Sequence, residues 1–154
     1  MSDRTSLRVA TADDLDALWQ IEQAVFQRDA WSRQLLLDEL TGDYRTYLVL
    51  LDEHGAVRGY GGVIVVGSEA DIQTIAVDPE LRGRGCGRAL MNELLDIAAG
   101  GGAELIFLEV RADNPVARSL YGALGFVEMG VRPRYYQPDN VDAVVMRLEI
   151  KDRR

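Results

Sequence analysis

The stretch from Gln73 to Leu90 limits what this chain can be more than any other. The β-branched, apolar run Thr74-Ile75-Ala76-Val77 stops at Asp78-Pro79, a pair that interrupts regular structure. A loop of alternating arginine and glycine follows, Arg82-Gly83-Arg84-Gly85-Cys86-Gly87-Arg88, and Ala89-Leu90 then opens an apolar helical pattern. Strand, glycine-rich loop and helix start together make an anion cradle. The first amides of a helix have no carbonyl partners, and the helix dipole favours negative charge there. Glycine lets the backbone approach phosphate oxygens because no Cβ intervenes. Arg82, Arg84 and Arg88 supply charge-assisted hydrogen bonds.

Two common phosphate loops are excluded. The Walker pattern ends in Gly-Lys-Ser/Thr, whereas this loop ends in Gly87-Arg88-Ala89, with no hydroxyl for magnesium. The dinucleotide fingerprint, counted from Gly83, needs a final glycine where Arg88 stands. A plain strand-to-helix turn would explain the glycines but not the three cations.

The remaining elements follow from periodicity. Leu7-Val9 reads as a strand, and Thr11-Ala12-Asp13-Asp14 as a helix cap of the capping-box kind. Leu15, Leu18, Trp19, Glu22 and Val25-Phe26 mark the mainly apolar face of the first helix. Ser32 caps a second helix through Leu40. Arg45-Leu51 and Val57-Val66 form strands around the turn Asp52-Glu53-His54-Gly55, and Ala70-Val77 is the next strand. Leu90, Leu94, Ile97 and Ala98 carry the helix after the loop, which stops at Gly100-Gly101-Gly102. Leu105-Val110 is a nearly continuous apolar strand, the mark of a strand covered on both faces. Val116-Leu124 is a helix ended by Gly125, and Phe126-Met129 and Val141-Ile150 are the last strands. Val131-Arg132-Pro133-Arg134 reads as a turn. This order gives a mixed α/β domain, taken as one unit over residues 1–154.

Composition narrows the chemistry. The only histidine, His54, lies in a hairpin turn, which removes Ser-His-Asp catalysis and histidine-rich zinc sites. A single cysteine, Cys86, excludes an internal disulfide and a cysteine metal site, and its small size suits the loop. The net charge of −8 disfavours general nucleic-acid binding and would steer a basic polypeptide toward the molecule. No apolar stretch approaches the roughly 20 residues of a membrane span, and Met1 to Ser6 lack an apolar leader core. A cytoplasmic protein is expected.

The loop's Arg-Gly-x-Gly-x-Gly resembles the acetyl-CoA loop of the GNAT acetyltransferases. After it come Leu108-Glu109-Val110-Arg111-Ala112-Asp113-Asn114, then Ala117-x-x-Leu120-Tyr121-x-x-Leu124-Gly125-Phe126, then Arg132-x-x-Tyr135-Tyr136. With Phe26 and Trp31-Ser32, this ordered set is similar to the RimI group of that family, over about Leu7 to Ile150. The resemblance implies an α+β fold: a twisted, mostly antiparallel sheet flanked by helices. Its two central parallel strands, Ala70-Val77 and Leu105-Val110, splay apart; a bulge in the first is the kind of device that re-aims backbone groups there, but the sequence alone does not show one. It implies acetyl-CoA as cosubstrate and no metal. It also implies transfer to a protein N-terminal α-amine, that of an alanine in a basic small-subunit ribosomal protein.

Site residues follow from the same resemblance. Ile75, Ala76 and Val77 would pair with the pantetheine arm, and the segment Arg82, Gly83, Arg84, Gly85, Cys86, Gly87 and Arg88 would hold its phosphates. From the residues alone, Glu109 is either a solvated carboxylate paired with Arg111 or a partly buried base; the resemblance makes it the catalytic base. Tyr121 is a core tyrosine by its apolar stripe, and by resemblance the proton donor to the leaving thiolate. Asn114 caps the helix that starts at Pro115 and, by resemblance, also touches the cofactor. Trp31, Tyr135 and Tyr136 are either core aromatics or walls of the acceptor site. Two other activities stay open: a GNAT acting on lysine side chains or a small-molecule amine, and a non-catalytic acetyl-CoA sensor.

Overall fold

A computed structural model describes residues 4–154; Met1 to Asp3, part of the stretch read for its lack of a leader, lie outside the described residues. Seven strands form one sheet: β1 (Ser6–Val9), β2 (Arg45–Leu51), β3 (Val57–Val66), β4 (Glu69–Val77), β5 (Leu105–Arg111), β6 (Val127–Tyr136) and β7 (Val141–Glu149). Their order is β1-β2-β3-β4-β5-β7-β6. Only β4 and β5 run parallel; every other neighbouring pair is antiparallel. Four helices cover the sheet: α1 (Leu15–Phe26), α2 (Arg33–Thr41), α3 (Cys86–Gly100) and α4 (Pro115–Ala123).

Strand alternation sorts side chains into two cores. In β2, Leu48 and Leu50 join Leu90, Leu94, Ile106 and Leu148 beneath α3 and α4. Tyr47 and Val49, facing the other way, join Leu15, Leu18, Leu36 and Tyr60 beneath α1 and α2. Each fully buried leucine contributes ~1.5–3 kcal/mol of apolar burial. The helix starts are fixed by side chains. Thr11 and Asp14 close a reciprocal capping box on a short 3-10 turn ahead of α1, and the Ser32 hydroxyl accepts from the Leu35 amide at the start of α2. The turn between β2 and β3 falls on Asp52–Gly55 as expected, with Gly55 at φ 79°.

The central opening is the feature that matters for function. β4 and β5 pair only at Glu69–Leu105, Ala70–Ile106 and Asp71–Phe107. Opposite β3, the register moves from Gly62–Thr74 to Val63–Ile72, which leaves Gln73 as an extra residue on β4. This is a bulge, which the sequence alone did not show, and it bends β4 away from β5. From Ile72 to Val77, the side of β4 turned away from β3 has no strand partner.

Two expectations need correction. α3 begins at Cys86, earlier than the apolar pattern at Ala89-Leu90, because Gly85 takes the left-handed conformation (φ 79°) and turns the chain into the helix. Val131–Arg134 is no turn but part of β6, which runs on to Tyr136. β6 is an edge strand, so Pro133 costs no ladder bond on its open side. Its register with β7 is interrupted between Arg132 and Tyr136, where Arg134 has φ 53°.

Candidate active site

The splayed strands separate two built surfaces. On the α3 side, the first part of the loop after β4 is tied down, with Arg58 paired to Asp78 and Glu80, whereas its second part is not. Between Arg82, whose amide reaches Pro79, and Ala89, whose amide reaches Gly85, no backbone amide donates to a carbonyl among the described residues. Gly83 and Gly85 both sit at positive φ. Arg82, Arg84 and Arg88 are exposed, and among the described residues none of the three guanidiniums forms an ion pair. In a chain of net charge −8, three unpaired arginines on one loop form a local cationic spot. Amides and cations together suit a phosphate-bearing group. The Cys86 side chain is 2% exposed and packs into the core, which accounts for a small apolar residue at this position. A Cβ on Gly87 would meet Leu120 of α4 at 3.5 Å, an ordinary contact, so this glycine is not demanded by packing.

Tyr121 lies on the same side. Its ring packs on the main core and against Phe126 in an edge-to-face contact, 6.1 Å between centroids. Burial raises its phenol to about 12, so it is protonated and able to donate at neutral pH. The Asn114 side chain accepts from the Ala117 amide and caps α4, as its place before Pro115 suggested.

On the opposite face, Glu109 stands between Leu108 and Val110, which point into the core. It lines a cleft of about 370 Å³ with Trp31, Asp71, Gln73, Phe107, Arg132, Tyr135 and Tyr136 among its walls. The structure therefore gathers Glu109 and all three expected aromatic residues into one place. The Glu109 side chain is 30% exposed, and its partner is Arg132, 3.1 Å from Oε2, not Arg111. Arg111 is taken by Asp29, Asp113 and Asp139 instead. Trp31 packs on the second core and also lines the cleft. Its amide donates to Glu22 at 2.8 Å. Glu22 is 2% exposed; burial raises its pKa, and it also accepts from the Tyr60 hydroxyl. Tyr135 and Tyr136 meet edge to face at 5.1 Å, with Arg132 over the first ring and Arg111 over the second. Burial, with Glu109 nearby, pushes the Tyr136 phenol up to about 12.

Asp71, Gln73, Phe107 and Arg132 were not expected in the cleft. The alternation of β4 and β5 carried the signal for two of them. Ala70, Ile72, Ile106 and Leu108 all point into the main core, which sends Asp71 and Phe107 to the face of Glu109. Asp71 lies beside Glu69, and its pKa is raised, first by burial and then by that neighbour. Among the described residues no group of three or more histidine, cysteine, aspartate or glutamate side chains could hold a metal ion, and no helix is long and apolar enough to cross a membrane.

Comparison with known proteins agrees with this geometry. Residues 12–126 match the acetyltransferase (GNAT) family. An uncharacterized protein of Mycobacterium leprae is 42% identical over 90% of this chain, although the match spans 39% of that longer protein. The N-alpha-acetyltransferase RimI of Mycobacterium tuberculosis is 37% identical, over 92% of this chain and 90% of its own length. The crystal structure of the ribosomal-protein-S18-alanine N-acetyltransferase from Escherichia coli superposes with a TM-score of 0.87 at 34% identity, covering 95% of this chain and 94% of that one. With a family match over most of its length and relatives above 30% identity, the chain belongs to the GNAT family of acetyl-CoA-dependent acetyltransferases.

Proposed function

We propose that the protein transfers the acetyl group of acetyl-CoA to the N-terminal α-amine of a protein, with the alanine terminus of ribosomal protein S18 as its acceptor. One observation carries the reading. The opening between β4 and β5 joins a cationic, amide-rich loop on one face to a carboxylate in an aromatic cleft on the other. The substrate assignment draws on relatives whose names state that acceptor.

In this mechanism the amides and arginines of residues 82–88 hold the phosphates, with Asn114 at the edge of the site. The open side of Ile75, Ala76 and Val77 offers backbone groups to the pantetheine arm as an added strand would. An amide of this segment polarises the acetyl carbonyl. Glu109 accepts the proton of the acceptor ammonium, and the neutral amine forms the new C–N bond as the C–S bond breaks. The Tyr121 phenol gives its proton to the departing thiolate, and the second proton shed by the acceptor nitrogen as the amide forms returns through water to restore the phenol. Trp31, Tyr135 and Tyr136 hold the first residues of the acceptor, so that proximity contributes beside acid–base chemistry. An α-amine loses its proton near pH 7.7–8.0 and a lysine near 10.4, so a single carboxylate base suits the former.

Mass spectrometry on matched peptides tests the assignment. A peptide with a free N-terminal alanine should be acetylated at its terminus, and its terminally blocked twin should turn over far more slowly. Equal acetylation of both, on lysine, would replace this reading with a lysine acceptor. Absence of transfer to any amine, with acetyl-CoA bound, would favour a sensor.

A further inference from the structure

One guanidinium is shared by the three segments that border the cleft. Arg111 ends β5, two residues beyond Glu109 on the same strand. Its Nη1 donates to Asp29, in the short turn between α1 and α2. Its Nε and Nη2 form a two-point pair with Asp113, at 2.9 and 3.0 Å, in the loop leading to α4. Nη2 also reaches Asp139 at 3.3 Å, in the turn between β6 and β7. The Arg111 side chain is 23% exposed and that of Asp29 16%, so these charges are only partly screened by water. Arg28, beside Asp29, makes a second tie to Asp139 at 3.5 Å.

These ties act on the residues that form the cleft. Trp31 follows Asp29 by two positions, and Tyr136 precedes Asp139 by three. Arg111 also stands 5.4 Å from the centre of the Tyr136 ring. The turn that carries Asp29 starts at Gln27, whose φ of 48° is unfavourable for a residue with a side chain, so this turn needs external fixing. Glu22 fixes its far end from beneath through the Trp31 amide. Nothing but Arg111 and Arg28 joins this turn to the β6–β7 turn by an ion pair among the described residues.

We propose that Arg111 is a positioning residue for the acceptor: by joining the α1–α2 turn to the β6–β7 turn, it sets the spacing of Trp31 and Tyr136 in the cleft. The inference rests on the cleft being the acceptor site. A lysine could keep one of the three pairs but lacks the planar fork that serves all three.

Steady-state kinetics of Arg111→Gln and Arg111→Lys, with a free-alanine peptide and acetyl-CoA varied separately, test the role. In Arg111→Gln the peptide KM should rise about tenfold or more, equivalent to ~1.4 kcal/mol of lost acceptor binding. The acetyl-CoA KM and kcat should stay within about twofold, and Arg111→Lys should fall between. Asp139→Asn removes both ties between the two turns, that of Arg111 and that of Arg28, and provides the same readout should Arg111→Gln fail to fold. Hydrogen exchange on the same variants reads the tie without turnover; amides of residues 27–31 and 139–141 should exchange faster. An unchanged peptide KM in a folded variant, an equal rise in both KM values, or unaltered exchange would each overturn the proposal. Faster exchange beside a wild-type enzyme that uses no α-amine peptide would keep the tie and refute the acceptor reading of the cleft.

Discussion

On the α3 side of the opening, Arg82, Arg84 and Arg88 have no ion-pair partner among the described residues; beside the acceptor cleft, Arg111 alone engages three carboxylates. The same residue type is used in two ways. An unpaired guanidinium next to free amides adds little to the fold and leaves its hydrogen-bonding capacity for a ligand. A guanidinium shared among loops is already satisfied, and its effect on function runs through the side chains it holds in place. The loop side is thus built from groups with hydrogen-bonding capacity to spare, and the cleft side from groups that position one another. Glu109 stands between these cases, because it is paired with Arg132 yet lines the cleft with surface left open.

The largest effect is expected where the two surfaces meet. Glu109→Gln keeps the shape of the side chain and a hydrogen-bonding oxygen but cannot take up a proton as a carboxylate does. Turnover at neutral pH should fall by about 10²–10⁴-fold if this proton transfer limits the rate. Raising the pH should recover part of the loss, since more of the amine is then neutral without help. Wild-type rates at every pH would make Glu109 a partner of Arg132 and nothing more.

The contrast in pairing sharpens with Arg84→Gln and Arg88→Gln. Each charge-assisted contact to a phosphate is worth about 1.5–3 kcal/mol, so acetyl-CoA affinity should drop at least about tenfold per residue engaged. Thermal stability should not fall, because no protein partner is lost. Titration calorimetry and a melting curve on the same variants separate the two quantities. Loss of stability with unchanged affinity would place these arginines in the fold and erase the difference between the two sides.

Legibility in the sequence follows the same division. The strands Arg45–Leu51 and Val57–Val66 were readable to the residue, because apolar runs bounded by a polar turn are local signals. The glycine-arginine segment was legible as a local pattern too, since it lies within seven consecutive residues, but its last three belong to α3. The start of α3 was hidden because glycines favour helix poorly, and a left-handed Gly85 leaves no hydrophobic mark. β6 was read only as far as Met129, because it is exposed along nearly its whole length and so carries no burial period. The cleft draws on residues near positions 31, 71, 108, 133 and 145, and no local pattern reports such a gathering. Arg111 shows the limit well. It stands two residues from Glu109, which made it the obvious partner, yet Asp29, 82 residues away, takes its Nη1.

The smallest effect concerns a paired charge outside the cleft, and it tests whether pairing there serves the fold alone. Asp14 is 8% exposed, receives two hydrogen bonds from Arg8 at 2.9 Å, and accepts from the Thr11 amide at 2.9 Å to complete the capping box ahead of α1. The Arg8 contact, followed by the Thr11 amide, holds its carboxyl below the ordinary aspartate value. Asp14→Ala should lower stability by about 1 kcal/mol, the usual cost of a lost cap. The half-exposed Arg8 adds less than a buried ion would, because water screens it. The sign with pH follows from the lowered pKa. The folded state holds the proton less readily than the unfolded one, so the stabilisation is complete above the unfolded value near 3.9 and is lost as pH falls through the folded value. Urea unfolding at pH 7 and below pH 4 should therefore show a gap between wild type and Asp14→Ala that narrows with acid. Peptide and acetyl-CoA KM at pH 7 should not change. A gap that persists at low pH would assign the loss to packing, and a shifted peptide KM would extend the positioning network beyond the loops tied by Arg111.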